Sequence, residues 1–189
     1  TAYEIGVRLV GSEMCIRDRL TAVGVSALTG DGIDTFFHGA QWVAAAVNPR
    51  TTNEADRVIA AMGGSIADVS IAILGLAFKP ETDDMRDSPS LNIVSALTSA
   101  GAKLRVYDPK AMEEARPLLP YGVTFCDSAI ECLKGAGAAV VVTEWNEFRA
   151  LTPAQFATEM TGNVLVDLRN VYEPSVMKEA GFHYVSIGR

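Results

Sequence analysis

The chain has 189 residues, 49% of them hydrophobic, enough for one domain with a sizeable core and some additional segments. A formal net charge of -7, with no Lys/Arg run and no interleaving of basic and aromatic residues, excludes a nucleic-acid backbone as partner. Three cysteines (Cys15, Cys126, Cys132) without CxxC spacing exclude a disulfide framework and a zinc site, and no stretch approaches the roughly 20 apolar residues of a membrane span or the pattern of a signal peptide, so a soluble, cytoplasmic protein is expected.

Residues 1–41 do not fit the pattern that follows them. "VGSEMCIRDR" (10–19) resembles translated adapter read-through, and "VSALTGDGIDTFF" (25–37) resembles the guanine-recognition region of a translation-type GTPase. Without a phosphate-binding GxxxxGK[ST], the second stretch cannot make a GTPase. The segment is read as chimeric or non-native, the alternative being a divergent N-terminal extension, and no function is assigned to it. Next, residues 42–64 read as a linking helix. Ala55, Val58, Ile59 and Met62 fall at i, i+3, i+4 and i+7, and Gly63-Gly64 stops the helix. Its apolar stripe packs on the flank of the domain that follows, or belongs to a connecting helix that also serves a dimer contact or another domain.

From residue 65 to 189 short β-branched runs alternate with amphipathic stretches. Strands are expected at 69–75, 103–108, 123–127, 138–144, 163–169 and 183–187. Helices are expected from Pro89, with Ser88 as N-cap, to Gly101, from Pro109 to about Leu119, from Ser128 to about Gly135, from Pro153 to Met160 and from Pro174 to Gly181. Strands apolar at consecutive positions, such as "AAVVV", are buried on both faces, which requires a parallel sheet covered on each side. The fold class is therefore α/β: a doubly wound, Rossmann-like six-stranded parallel sheet preceded by the linking helix.

Such sheets bind ligands beyond the carboxyl ends of their strands, where the strand order reverses. With the order 3-2-1-4-5-6, the ends of strands 1, 4 and 5 adjoin and carry Lys79, Arg86, Glu144, Trp145, Asp167 and Arg169. The first turn lacks the dinucleotide fingerprint, because no glycine follows Gly75 until Gly101. Recognition by side chains is expected in its place. Lys79 is a point charge suited to phosphate, Arg86 a fork suited to phosphate or carboxylate, and Phe78 an apolar surface. Asp83, Asp84 and Asp87 complement the helix terminus and pair with Arg86. Trp145 reads as a cap on the core, His183 as structural, and Cys126 and Cys132 as core residues. Neither a catalytic group nor a metal site is predicted.

Five stretches carry a more specific signal: "ILGLAFKPETDDMRDSPSLNIVSAL", "VYDPKAMEEA", "VVTEWNEFRAL", "LVDLRNVY" and "AGFHYVSIGR". Together they resemble the C-terminal, UDP-binding domain of the UDP-glucose/GDP-mannose dehydrogenase family, and residues from about 42 resemble the end of its central linking helix. Within that family "EWNEFRAL" points to UDP-glucose rather than UDP-N-acetylmannosamine or GDP-mannose. The resemblance implies an NAD-dependent UDP-glucose 6-dehydrogenase, homodimeric at full length, that oxidises the sugar C6 alcohol twice with two NAD+, through a cysteine-bound thiohemiacetal and thioester, to UDP-glucuronate. Carried over by position, it implies that Phe78, Lys79 and Arg169 contact the UDP-sugar and that Arg86 reaches the NAD pyrophosphate. The family's N-terminal GxGxxG half and nucleophilic cysteine loop have no match here, so the chain alone is expected to bind substrate without turning it over. A stand-alone nucleotide-sugar-binding module is the alternative, and a phosphoryl-accepting receiver domain fails because strand 5 is followed by Arg169 rather than lysine.

Overall fold

The computed structural model describes residues 49–188, with side chains from Glu54 onward. The stretch read above as chimeric, Cys15 within it and residues 42–48 of the expected linking helix lie outside the described residues. The elements run α1 (Pro49–Ala61), β1 (Ser70–Leu74), α2 (Pro89–Ser99), β2 (Lys103–Tyr107), α3 (Met112–Ala115), β3 (Thr124–Phe125), α4 (Ala129–Leu133), β4 (Ala138–Val141), α5 (Asn146–Arg149), α6 (Pro153–Glu159), β5 (Val164–Asp167), α7 (Pro174–Glu179) and β6 (His183–Ser186).

All six strands pair in parallel, in the order β3-β2-β1-β4-β5-β6. This is the expected doubly wound order. The reversal falls between β1 and β4, whose register runs from Ile71 opposite Ala138 to Leu74 opposite Val141. Every residue of β4 is buried, as are Ile71, Ala72, Ile73 and Leu74 of β1, so the apolar runs mark strands covered on both faces.

Right-handed crossovers place the helices of the β1-β2-β3 half on one face and those of the β4-β5-β6 half on the other. In keeping with this, α4 packs on α6. That winding leaves the β4–β5 side of the first face without a crossover helix of its own. α1 supplies the cover, packing on α2 and β5 with Ala55 and Val58 in the core and Ile59 and Met62 against it. Packing of the apolar stripe on the flank of the domain is observed, and the chain leaves the helix at Gly63 with φ 83°.

Local chemistry sets the remaining boundaries. Ser88 caps α2, its side chain accepting from the Ser90 amide with Pro89 in the first turn, as the sequence predicts. The helix expected from Pro109 to Leu119 is shorter, closing as α3 at Met112–Ala115. Pro117 brings no N–H to the ladder and its ring collides with the preceding turn. Strand 4 is also shorter than expected: beyond Val141 the chain turns, the Val142 amide donates to Leu74 O at 2.8 Å, and α5 follows where strand end and loop were anticipated. Phe148, the apolar residue of α5, is fully buried and anchors that turn.

Candidate functional site

The loop after β1 opens with a close approach. Gly75 has φ +97°, and a Cβ there would lie 2.5 Å from the Cβ of Thr143 and 2.6 Å from its nitrogen. Only glycine lets the first turn pass this close to the segment leaving β4. The next two residues, Leu76 and Ala77, are fully buried, whereas Phe78 is 50% exposed and Lys79 is exposed. The chain thus emerges from the core at the residues read as ligand contacts.

The loop is then closed on itself. The Phe78 amide donates to Asp84 O at 2.9 Å, and Glu81 and Asp87 take left-handed φ values of 62° and 54°. Arg86 donates to Asp84 through Nε at 2.9 Å and Nη2 at 2.8 Å, while its backbone amide donates to the same carboxylate at 3.0 Å. These bonds from Arg86 hold the Asp84 carboxyl at a pKa of about 2, with Lys79 adding to the pull. Of the three aspartates expected to pair with Arg86, Asp84 makes the contact. It occupies the Nε–Nη2 edge of the fork and leaves the end-on edge formed by the two terminal nitrogens outside that contact. The Arg86 side chain is 89% exposed and projects from the domain.

Arg169 follows β5. Its Nε lies 3.5 Å from a Glu144 carboxylate oxygen, and its charge also acts on Glu54 of α1. Burial raises Glu54 above the ordinary glutamate value despite the pull of Arg169 and Arg57. The backbone of this corner is held by Asp167, fully buried, which accepts from the Arg169 amide at 3.0 Å, the Tyr172 amide at 3.0 Å and the Tyr184 hydroxyl at 2.7 Å.

The six residues proposed to converge therefore divide. Lys79 and Arg86 share the first loop with Asp84, and Arg169 sits with Glu144; among the described residues no hydrogen bond or ion pair joins the two groups. Asp167 and Trp145 face inward rather than toward a ligand: Asp167 pins the Arg169 loop, and Trp145, 3% exposed, donates its indole N–H to Asp108 at 3.1 Å. A cleft of about 610 Å³ lies on the outer side of the loop, between Asp83, Asp84, Arg86, Leu91, Glu114 and Leu118; Phe78, Lys79 and Arg169 do not line it.

Asp108 is the residue that the sequence reading passed over. It directly follows β2 in "VYDP", is 1% exposed, and accepts from the amides of Leu76 (2.7 Å), Ala77 (3.0 Å), Lys110 (2.9 Å) and Ala111 (2.9 Å) besides Trp145. The one sequence signal was an acidic residue between an apolar strand and a proline, which reads first as a turn. Cys126 and Cys132 are buried in the core as expected; burial pushes the Cys132 thiol up, which keeps it protonated and unreactive.

This architecture defines a class: a doubly wound α/β domain that lacks the glycine fingerprint and carries Lys79 and Arg86 in the loop at its switch point. The chain belongs to the UDP-glucose/GDP-mannose dehydrogenase family, whose UDP binding domain model matches residues 72–174. It is 50% identical over 133 residues to the UDP-glucose 6-dehydrogenase of Rhizobium meliloti (strain 1021), covering 70% of this chain and 30% of that protein. It is 36% identical over 134 residues to the UDP-glucose 6-dehydrogenase YwqF of Bacillus subtilis (strain 168), covering 71% and 30%. Among solved structures, it is similar to a UDP-glucose dehydrogenase from Pyrobaculum islandicum, with a TM-score of 0.59 and 29% identity over 74% of this chain and 30% of that one. An NDP-N-acetyl-D-galactosaminuronic acid dehydrogenase from Methanosarcina mazei Go1 aligns with a TM-score of 0.62 and 25% identity over 92% and 36%. The matches span about 30% of the length of these curated relatives.

Proposed function

We propose that residues 65–189 form the nucleotide-sugar-binding domain of an NAD-dependent UDP-glucose 6-dehydrogenase of the cytoplasm, with α1 as the end of its linking helix. The observation that carries this reading is the switch-point loop, in which Phe78 and Lys79 leave a fixed, buried turn and stand exposed at the carboxyl edge. In this reading the Lys79 ammonium binds the diphosphate of UDP-glucose, Phe78 packs against its apolar surface, and Arg169, aligned by Glu144, donates to the sugar nucleotide. The buried Cys132 and its neighbour Cys126 are both free thiols, which fits a reducing compartment.

The first turn does not fit a dinucleotide, because the Leu76 and Ala77 amides that would face a pyrophosphate already donate to Asp108. Arg86 has the chemistry for NAD, as an exposed fork held by Asp84 that can meet a pyrophosphate bound by another part of the protein. NAD held there would supply the hydride acceptor, while the residues of this chain bind, orient and help close the cleft. UDP-glucose is preferred over other nucleotide sugars because the curated relatives named above act on it by name.

Calorimetric titration of the purified chain with UDP-glucose, UDP and GDP-mannose tests the reading. UDP-glucose and UDP are expected to bind with similar affinity and GDP-mannose more weakly; no heat from any uridine nucleotide at millimolar concentration would refute it.

A further inference from the structure

The two peptide units that lead into Phe78 are tied at both ends. Their amides, Leu76 N–H and Ala77 N–H, donate to one oxygen of Asp108 at 2.7 and 3.0 Å. Leu76 O accepts from the hydroxyls of Ser88 and Ser90, each at 2.6 Å, and Ala77 O accepts from the Thr143 hydroxyl at 2.7 Å. Asp108, Ser88, Ser90 and Thr143 are all at most 1% exposed, and they come from three separate elements of the carboxyl edge. Five N–H groups converge on the two oxygens of Asp108, and among the described residues no basic side chain pairs with it. Converging amides can stabilise a buried anion in this way.

We propose that Asp108 and Thr143 are the positioning residues of the ligand site. In this arrangement the Asp108 carboxylate takes the place at the first turn that a ligand phosphate takes in glycine-rich nucleotide-binding folds. The chain supplies its own anion, which fixes the turn in advance. Thr143, packed against Gly75 and bonded to Ala77 O, sets the direction in which the next residues leave. Phe78 and Lys79 are thereby presented in one conformation, and the ordering of the loop does not have to be met when ligand binds. The proposal rests on the reading of Phe78 and Lys79 as ligand contacts, and goes beyond it in naming what orders them.

Thr143→Val keeps the shape of the side chain and removes only its donor, whereas Thr143→Ser keeps the donor, so the pair separates positioning from packing. Two quantities are read on the full chain: amide hydrogen exchange at residues 76–79 by NMR, and the Kd for UDP by calorimetry. In Thr143→Val, exchange at Ala77 and Phe78 and the Kd for UDP are each expected to rise about fivefold to tenfold, as for one lost hydrogen bond. Thr143→Ser is expected within about twofold of the unaltered chain on the same scale, and the amides of Ile73 and Val140, in the sheet core, should not respond. A loosened loop with unchanged UDP affinity, unchanged exchange in Thr143→Val, or a serine variant as loose as the valine one overturns the positioning role alone. Absence of UDP binding by the unaltered chain overturns the functional reading and the positioning role with it. Asp108→Asn, which sets an NH2 group among N–H donors, is expected to move both readouts further in the same direction.

Discussion

Gly75→Ala places a methyl group where the first turn passes the segment after β4, and two costs can be worked out for it. The backbone there has φ +97°, a region costing a non-glycine residue about 1 kcal/mol. The new Cβ would also lie 2.5 Å from the Thr143 Cβ and 2.6 Å from its backbone nitrogen, neither of which is the movable end of a flexible side chain. Forcing them apart adds about 2 kcal/mol of overpacking. A total of about 3 kcal/mol corresponds to a fall in Tm of about 10 °C for a protein of this size. Gly63→Ala is the matched control: its φ is +83°, but nothing lies within 4 Å of the added Cβ, so only the backbone cost of about 1 kcal/mol applies. Urea unfolding of the two variants side by side measures the difference. Equal destabilisation by both, or a loss below about 1 kcal/mol in Gly75→Ala, would show that the close approach to Thr143 is not what demands glycine.

Further outcomes follow from the same geometry. Lys79→Ala should raise the Kd for UDP-glucose about tenfold or more, the worth of a charge-assisted contact, while urea unfolding stays within about 0.5 kcal/mol because the side chain is exposed. The Asp84 carboxyl, titrated by NMR, should show a midpoint near 2. A carboxylate with a lowered folded pKa stabilises above its unfolded value and loses that contribution as pH falls toward the folded one, so the Arg86 pair should weaken between about pH 4 and pH 2. Arg86→Gln should raise the midpoint toward the ordinary range without reaching it, since the side-chain hydrogen bonds of Arg86 are the leading cause of the shift while the residue 86 amide still donates to the carboxylate. Asp167→Asn should cost about 2 kcal/mol in urea unfolding, because a buried amide group then faces three donors that a carboxylate satisfied. Val58→Asp should destabilise by at least about 3 kcal/mol, the order expected for an unpaired charge in the core, if α1 belongs to this domain.

The strands were legible because burial on both faces writes itself into the chain as consecutive apolar residues, as in "AAVVV" around β4, whereas their order was taken as the common one for such sheets and is the one observed. The switch-point loop was legible for a related reason: it is local, and its charges stand together within 75–88. The roles of Asp108 and Thr143 were not, since Leu76 and Asp108 are 32 positions apart and Thr143 and Ala77 are 66 apart. A hydrogen bond across such a separation leaves no periodic trace, and an aspartate before a proline looks like any turn. Trp145 was readable as a core residue from its bulk, although the aspartate that receives its N–H was not foreseen. The over-long helix before Pro117 had a different origin: the amphipathic pattern of "PKAMEEARPLL" outweighed the proline that ends it.

The position of α1 bears on how the protein responds to being cut. Gly63 and Gly64 form an exposed turn, the kind of segment that proteases enter first. A nick there would not release the helix, because Ala55 and Val58 remain seated in the same core as the sheet and against α2. The two products should co-elute until denaturant parts them, and the larger one alone should bind hydrophobic dye on the bared side of α2 and β5. Adding back the helix as a peptide should restore it, so the linker and the sheet would behave as two halves of one reconstitutable fold.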